Sequence, residues 1–261
     1  MFPEIKHRYG EGVRILDDPF LSTELARLCH PDTCQPLIDG ILERLYSSLI
    51  RIVVSCEFPK SLLRVPTRMI AQTDRGVLTV PNAVDRTTQV VVVDIARAGI
   101  VPSLVCFREL TNILDPRGVR QDHLVGSRQT DSQGKVIGTA FTGEKIGGPV
   151  DNRYILFPDP MGATGSSFSA AKKFYESTVG GRPKAWIVMH LIVTPEYIAK
   201  VKKDHPDVVI YAFRLDRGLS PEDVLQTIPG TFWDRERGLD DHDYIVPGAG
   251  GMGEVINNSY C

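Results

Sequence analysis

Nine consecutive residues, Asp159-Pro160-Met161-Gly162-Ala163-Thr164-Gly165-Ser166-Ser167, hold the densest chemistry in the chain. Backbone N–H groups at the start of a helix make a ready anion site, and Gly162 and Gly165 allow a ligand close to the backbone. Thr164, Ser166 and Ser167 add hydroxyl donors. Asp159 would repel a phosphate beside it, so it should face hydroxyls or a metal. A ligand carrying both a phosphate and a sugar fits this set. A second group is Asp94-Ile95-Ala96-Arg97-Ala98-Gly99, where an Arg ends an apolar run. An Arg there needs a partner, either an anionic ligand or an acid such as Asp94. A third is Tyr244-Ile245-Val246-Pro247-Gly248-Ala249-Gly250-Gly251-Met252-Gly253-Glu254. Its glycines expose backbone N–H and C=O groups, which can read the donor and acceptor edge of a flat base. No Ser-His-Asp or Cys-His arrangement for nucleophilic catalysis is visible.

The elements that must position these groups follow from periodicity. Tyr154-Ile155-Leu156-Phe157 reads as a buried strand, and Phe168, Ala171, Phe174 and Tyr175 fall on one face of a helix that Gly180-Gly181 stops. The nine-residue stretch is therefore a strand-loop-helix turn at the C-terminal edge of a strand, where open α/β sheets bind ligands. Residues 89–93 are β-branched and apolar on both faces, which suits a central parallel strand. After Arg97 comes a helix with Ile100, Leu104, Phe107 and Leu110 on one face and Pro102 in its first turn. Residues 185–193 form a third apolar strand. Thr194 then caps a helix with Pro195 at its first position and Glu196 in its first turn, ending near His205-Pro206. Residues 208–213 are a fourth strand. This alternation predicts an α/β fold with a mostly parallel sheet flanked by helices and joined by right-handed crossovers. His190 reads as a packed core residue and His205 as a turn residue.

The remainder frames this core. Residues 1–20 read as an arm with little structure, and Ser22 or Thr23 as the cap of a short helix through Leu28. A longer helix follows Pro36, and its stripe of Leu37, Ile38, Ile41, Leu45, Leu49, Ile52 and Val53 is core or subunit contact. Residues 62–80 form an extended excursion, with Pro66, Pro81 and Asn82 at turns. A short strand at 123–126 leads into a long excursion over 127–149, read as a lid built on a two-stranded flap, 135–138 with 139–141. Residues 218–243 read as a solvated acidic loop containing Asp234, Glu236, Asp240, Asp241 and Asp243.

The chain of 261 residues has 42% hydrophobic and 24% charged residues and a formal net charge of −2. That is an ordinary globular composition with no basic block, which argues against nucleic acid as a partner. No apolar run reaches membrane-spanning length and no leader-like segment opens the chain, so a cytoplasmic protein away from membranes is expected. Five cysteines at irregular spacing do not suggest a disulfide framework. Cys29, His30 and Cys34 lack a second ligand pair, so no metal site is assigned to protein residues.

Asp-Pro-Met-x-Ala-Thr-Gly-x-Ser at Asp159 to Ser167 resembles the phosphoribosyl-pyrophosphate (PRPP) loop of uracil phosphoribosyltransferases, members of the type I phosphoribosyltransferase superfamily. Arg97-Ala98-Gly99 resembles their pyrophosphate loop, in which a cis non-proline peptide is frequent. Arg128 matches the Arg of their flexible-loop triplet, Ser127 stands where that triplet has Tyr, and Lys145 matches a later Lys. Tyr244-Ile245-x-Pro247-Gly248-x-Gly250 resembles the opening of their base-binding hood. The family pattern then continues Asp-x-Gly-Asp-Arg, whereas this chain has Gly251, Glu254 and Val255 at the three named positions.

The resemblance implies one phosphoribosyltransferase-like domain over 1–261. Its parts would be a helical N-terminal arm (1–60), a core (85–215) carrying a flap (127–149), and a C-terminal hood (216–261). It implies transfer of ribose 5-phosphate from PRPP to uracil, with Asp159, Arg97 and Arg128 as the catalytic set and the whole run Asp159 to Ser167 binding PRPP. Tyr244, Ile245, Val246, Gly250 and Gly251 would bind the base. Mg²⁺ would arrive bound through PRPP, and the protein would be a homodimer or larger homo-oligomer. Gly251 keeps two alternatives open: a transferase for a different base, or a non-catalytic binder of PRPP or a nucleotide.

Overall fold

The computed structural model describes residues 2–130 and 136–259, with side chains described outside 127–140. In chain order the elements are β1 (Val13–Ile15), α1 (Pro19–Leu28), α2 (Leu37–Glu57), β2 (Lys60–Pro66), β3 (Val77–Val84), β4 (Val90–Ala96), α3 (Ile100–Ile113), β5 (Val119–Thr130) and β6 (Val136–Lys145). They continue with β7 (Tyr154–Pro158), β8 (Met161–Gly162), α4 (Ser166–Phe174), β9 (Ala185–Val193), α5 (Pro195–Asp204), β10 (Val208–Leu215), α6 (Glu222–Leu225) and α7 (Met252–Asn257). The main sheet runs β1-β10-β9-β7-β4-β5-β6, with the two-residue β8 also paired to β9. All its pairings are parallel except β5 with β6. The predicted α/β architecture with a mostly parallel sheet is the one observed.

Alternation along β4 explains the layering. Val90 and Val92 point into a core shared with α1, α2 and α3, while Val91 and Val93 point into a second core shared with α4 and α5. Full burial of one such side chain is worth about 1.5–3 kcal/mol, so a strand apolar on both faces is stable only between two helical layers. The apolar stripe of α2 from Ile38 on lies inside the first core, with Ile41, Leu42, Leu45 and Leu49 at zero exposure, while Leu37 at the helix start is exposed. Of the two readings of that stripe, the chain's own core is the correct one.

Several expectations are corrected. Residues 13–15 form a strand of the main sheet, paired with β10, rather than part of an unstructured arm. The cap of α1 is Asp18, whose Oδ1 accepts from Phe20 N and Leu21 N, so the helix starts before Ser22. Pro81 and Asn82 lie inside β3, in a separate two-stranded sheet where each strand has an open edge that tolerates a missing N–H. In α3 the buried face is Pro102, Val105, Cys106 and Leu110, while Ile100 and Leu104 are exposed. That helix is apolar nearly all round, so periodicity alone could not choose its inner face. In place of strands at 135–138 and 139–141, one strand over 136–145 pairs antiparallel with β5, and residues 131–135 of the expected flap lie outside the described residues. The acidic loop is not uniformly solvated either. Glu236 is buried, accepting from Tyr9 OH and pairing with Arg217 Nη1 at 2.9 Å, which ties the loop to the N-terminal segment.

Candidate functional site

Loops from the C-terminal ends of β4 and β7 meet the segment after β10 around a cavity of about 680 Å³. Its deep wall is built on Asp159, which follows β7. Asp159 N donates to Met189 O at 3.1 Å, and its Oδ1 accepts from Met161 N at 3.0 Å. Below it, His190 Nδ1 lies 2.7 Å from the Asp159 carbonyl and Nε2 lies 2.7 Å from Tyr197 OH. A carbonyl only accepts, so Nδ1 carries the proton and Nε2 accepts from the tyrosine. Burial pushes His190 down to about 4, which keeps it neutral and fixes this relay. Burial also lifts the Asp159 carboxyl to about 6; the Met161 N–H opposes that rise and the charge of Asp94 adds to it. Among the described residues Asp159 enters no ion pair. The result is a half-buried carboxylate held in place through its own backbone, with acceptor capacity turned to the cavity.

The turn after Asp159 is strapped to the neighbouring strand and helix. Thr194 Oγ1 donates to Ala163 O at 2.7 Å while capping α5 by accepting from Tyr197 N at 3.0 Å. Gly165 begins α4 with φ of 77°, and a Cβ there would lie 3.2 Å from Val201 Cγ2. Both the backbone conformation and the packing of α4 on α5 therefore call for glycine. Thr164 Oγ1 accepts from Ser166 N at 3.3 Å and donates to Ser166 Oγ at 3.1 Å, which orders the hydroxyls at the helix start. Such a cluster of N–H and O–H donors suits a dianionic phosphate.

Across the cavity, Arg97 follows β4 through a cis Ala96–Arg97 peptide, as the resemblance led one to expect. Asp94, the acid offered as an alternative partner for Arg97, pairs with His123, whose Nδ1 lies 3.0 Å from Oδ2. Arg97 reaches the C-terminal segment instead: Nη1 donates to Ser259 Oγ at 2.6 Å and Nη2 to Glu254 Oε1 at 3.4 Å. That segment is anchored on core carboxylates. Glu196 at the start of α5 accepts from Gly238 N at 2.9 Å, and buried Asp216 after β10 accepts from Gly248 N at 2.8 Å. Asp240 Oδ1 accepts from Tyr244 N at 2.9 Å.

Of the residues singled out from sequence, Arg97, Asp159, Met161, Ala163, Thr164 and Gly165 line the cavity, together with Ser166 and Ser167. Tyr244, Ile245, Gly250 and Gly251 line its opposite side. Pro160, Gly162 and Val246 do not line it. Pro160 gives its carbonyl to Leu191 N and Ile192 N, and Gly162 gives its own to Thr194 N. A Cβ on Gly162 would sit 2.8 Å from Val193 Cγ1, so this glycine serves the packing of β8 on β9. Val246 donates its N–H to Gly238 O and accepts at its carbonyl from Gly218 N, so its backbone ties the loop to the rest of the C-terminal segment. The backbone of Arg128 pairs with Thr139 in β5–β6, and its side chain lies outside the described residues. Lys145 is exposed at the end of β6 and does not line the cavity. Sequence reasoning missed the relay through His190 and Tyr197, which the apolar strand pattern around His190 hid, and it missed Glu254 as a wall residue.

A mostly parallel sheet with an acid-headed turn of glycines and hydroxyls after one strand and an arginine loop after its neighbour is a phosphoribosyltransferase fold. Adenine phosphoribosyltransferase from Leishmania donovani shares that fold at a TM-score of 0.50 and 11% identity, covering 84% of this chain and 89% of its own. The AQ2163 protein from Aquifex aeolicus matches at a TM-score of 0.66 and 18% identity, over 94% of this chain and 97% of its own. The chain belongs to the uracil phosphoribosyltransferase family, whose profile matches residues 15–235. Curated proteins named uracil phosphoribosyltransferase are similar over shorter stretches. The one from Caldanaerobacter subterraneus is 34% identical over 112 residues, 43% of this chain and 42% of that protein. The one from Variovorax paradoxus is 32% identical over 112 residues, 43% of each chain. The chain thus spans less than half the length of these relatives, and the family match stops before the Tyr244 loop.

Proposed function

We propose that this chain transfers ribose 5-phosphate from PRPP to a ring nitrogen of uracil, giving UMP and pyrophosphate. The bond from ribose C1 to the pyrophosphate oxygen breaks, and the pyrophosphate leaves with the electron pair. A bond from C1 to the nitrogen forms, and the nitrogen's proton goes to solvent or the departing phosphate. The observation that carries the reading is one cavity with three complementary walls: a carboxylate at Asp159 in no ion pair among the described residues, a donor-rich turn at 164–167, and a cation at Arg97. In this reading Asp159 holds the ribose hydroxyls, the turn holds the 5-phosphate, and Arg97 with Arg128 neutralises the leaving pyrophosphate. Tyr244, Ile245 and the Gly250–Gly251 backbone shape the base pocket. Catalysis then consists of positioning and of charge stabilisation at the leaving group.

Mg²⁺ would travel with the substrate, held mainly by PRPP oxygens and water, and would offset the pyrophosphate charge. The wider reading is a cytoplasmic homodimer or larger assembly. Its support is the β2–β3 arm, which exposes Leu62, Met69, Ile70 and Leu78, an apolar surface suited to a second copy. No helix among the described residues is long and apolar enough to cross a membrane.

The test is pyrophosphate release from Mg²⁺ and PRPP with uracil. Release that depends on uracil is the expected result, and none with uracil would refute the assignment. Gly251 favours a second reading, a different acceptor or a nucleotide-binding regulator, because the family pattern has Asp there. Release with another base, or UMP binding without turnover, would move the assignment to that reading.

A further inference from the structure

The carboxylate missing at position 251 has a replacement one helical turn away. A Cβ built on Gly251 would overlap Glu254 Oε2, lying 3.3 Å from Glu254 Cδ and 3.7 Å from Tyr244 Cε1. The Glu254 carboxylate thus fills the space in which an Asp side chain at 251 would begin, against the Tyr244 ring. Residues 251 and 254 are the cap and third position of α7, so they share a face. The longer Glu side chain reaches back across that turn. It is not spent on capping α7, since the described hydrogen bond of its carboxylate goes to Arg97 Nη2 at 3.4 Å. Both side chains of that pair are about a third exposed, and the contact is long, so it is a weak ion pair that a stronger anion can displace.

Resting on the reading of the cavity given above, we propose that Glu254 is the carboxylate that selects the acceptor base, and that Arg97 holds it until pyrophosphate takes the arginine. An ionised carboxylate accepts only, so it favours a base presenting a ring N–H at that edge. While Arg97 pairs with Glu254, neither is fully available. Pyrophosphate on Arg97 releases Glu254 toward the Tyr244 side of the cavity. The acceptor site therefore completes itself after the anion arrives, and the two ligands bind cooperatively.

Calorimetry on the full chain tests this with Mg²⁺-pyrophosphate and uracil as probes. Uracil should bind the unaltered protein more tightly when pyrophosphate is present than when it is absent. Glu254→Gln keeps the side-chain shape while weakening the pair. It should bind pyrophosphate roughly two- to fivefold more tightly, the range expected for losing an exposed ion pair. It should bind uracil roughly tenfold or more weakly, as for losing a charged hydrogen bond, and show no coupling between the ligands. Asp243→Asn, which removes a charge from the same cavity without touching Arg97, is the control. Gly251→Asp alone should weaken uracil binding, because two side chains would compete for one space, and Gly251→Asp with Glu254→Ala, which empties that space, should restore it. An equal pyrophosphate gain in Asp243→Asn, or unchanged uracil affinity in Glu254→Gln, would overturn the proposal. If uracil fails to bind even the pyrophosphate-loaded unaltered protein, the uracil assignment falls. The pyrophosphate arm still decides the Arg97 contact: a gain in Glu254→Gln alone supports it, and no gain overturns it.

Discussion

Replacing Asp159 by Asn should make the protein more stable and less active, and the size of the gain follows from the site. Burial raises the carboxyl from its ordinary 3.8 to about 6. At about 1.36 kcal/mol per unit the shift corresponds to about 3 kcal/mol, which partial exposure of the group discounts to about 1–3 kcal/mol. The sign is opposite to that of a paired carboxylate. Because the folded-state value lies above the unfolded one, the folded protein binds more protons across the window from about 4 to about 6. Stability is therefore lost as pH rises through that window, and the full cost persists above it. Asn keeps an oxygen to accept from Met161 N, so the turn should survive the change. Thermal unfolding followed at several pH values should give a variant whose Tm exceeds that of the unaltered protein by about 2–10 °C at pH 7.5. The excess should shrink through the window and vanish below it. Turnover should fall roughly ten- to hundredfold, because a neutral amide accepts ribose hydroxyls less strongly than a carboxylate. A variant no more stable at pH 7.5, or one whose advantage persists undiminished at pH 3.5, would refute the claim that Asp159 is an uncompensated charge kept for a ligand.

Gly165→Ala should lower stability by about 1–2 kcal/mol, the cost of a left-handed Cβ, visible as a lower denaturant midpoint, and should weaken phosphate binding measured by titration. Glu236→Ala removes the acceptor shared by Tyr9 and Arg217 and leaves a nearly buried guanidinium, so unfolding by denaturant should show a loss of about 3–5 kcal/mol. Leu62→Asp with Leu78→Asp places charge on the apolar arm. Sedimentation should shift toward a smaller species while the thermal transition of the fold stays nearly in place, because both residues are exposed within the chain.

What could be read from residues alone was whatever depends on local order. β9 and α5 begin and end where the β-branched run, Thr194 and Pro195 put them, because a strand buried on both faces and a capped helix each announce themselves within ten residues. The turn at Asp159 to Ser167 was legible for the same reason: its glycines and hydroxyls sit at fixed offsets between a buried strand and a helix start. Long-range pairings were not legible. Val13–Ile15 is too short and too polar in its surroundings to read as a strand until β10 supplies an edge. Glu236 looked like one acid among several until Tyr9, 227 positions away, closed over it. Position 251 shows the limit most sharply. Compared column by column with the family pattern, Gly251 is a lost carboxylate. In space the charge is present, because a helix turn brings position 254 onto the same face and one extra methylene covers the gap. A motif records which residue type stands at which position, whereas the ligand meets only the charge and where it sits. Gly251 and Glu254 share one space, so neither should be altered or judged without the other.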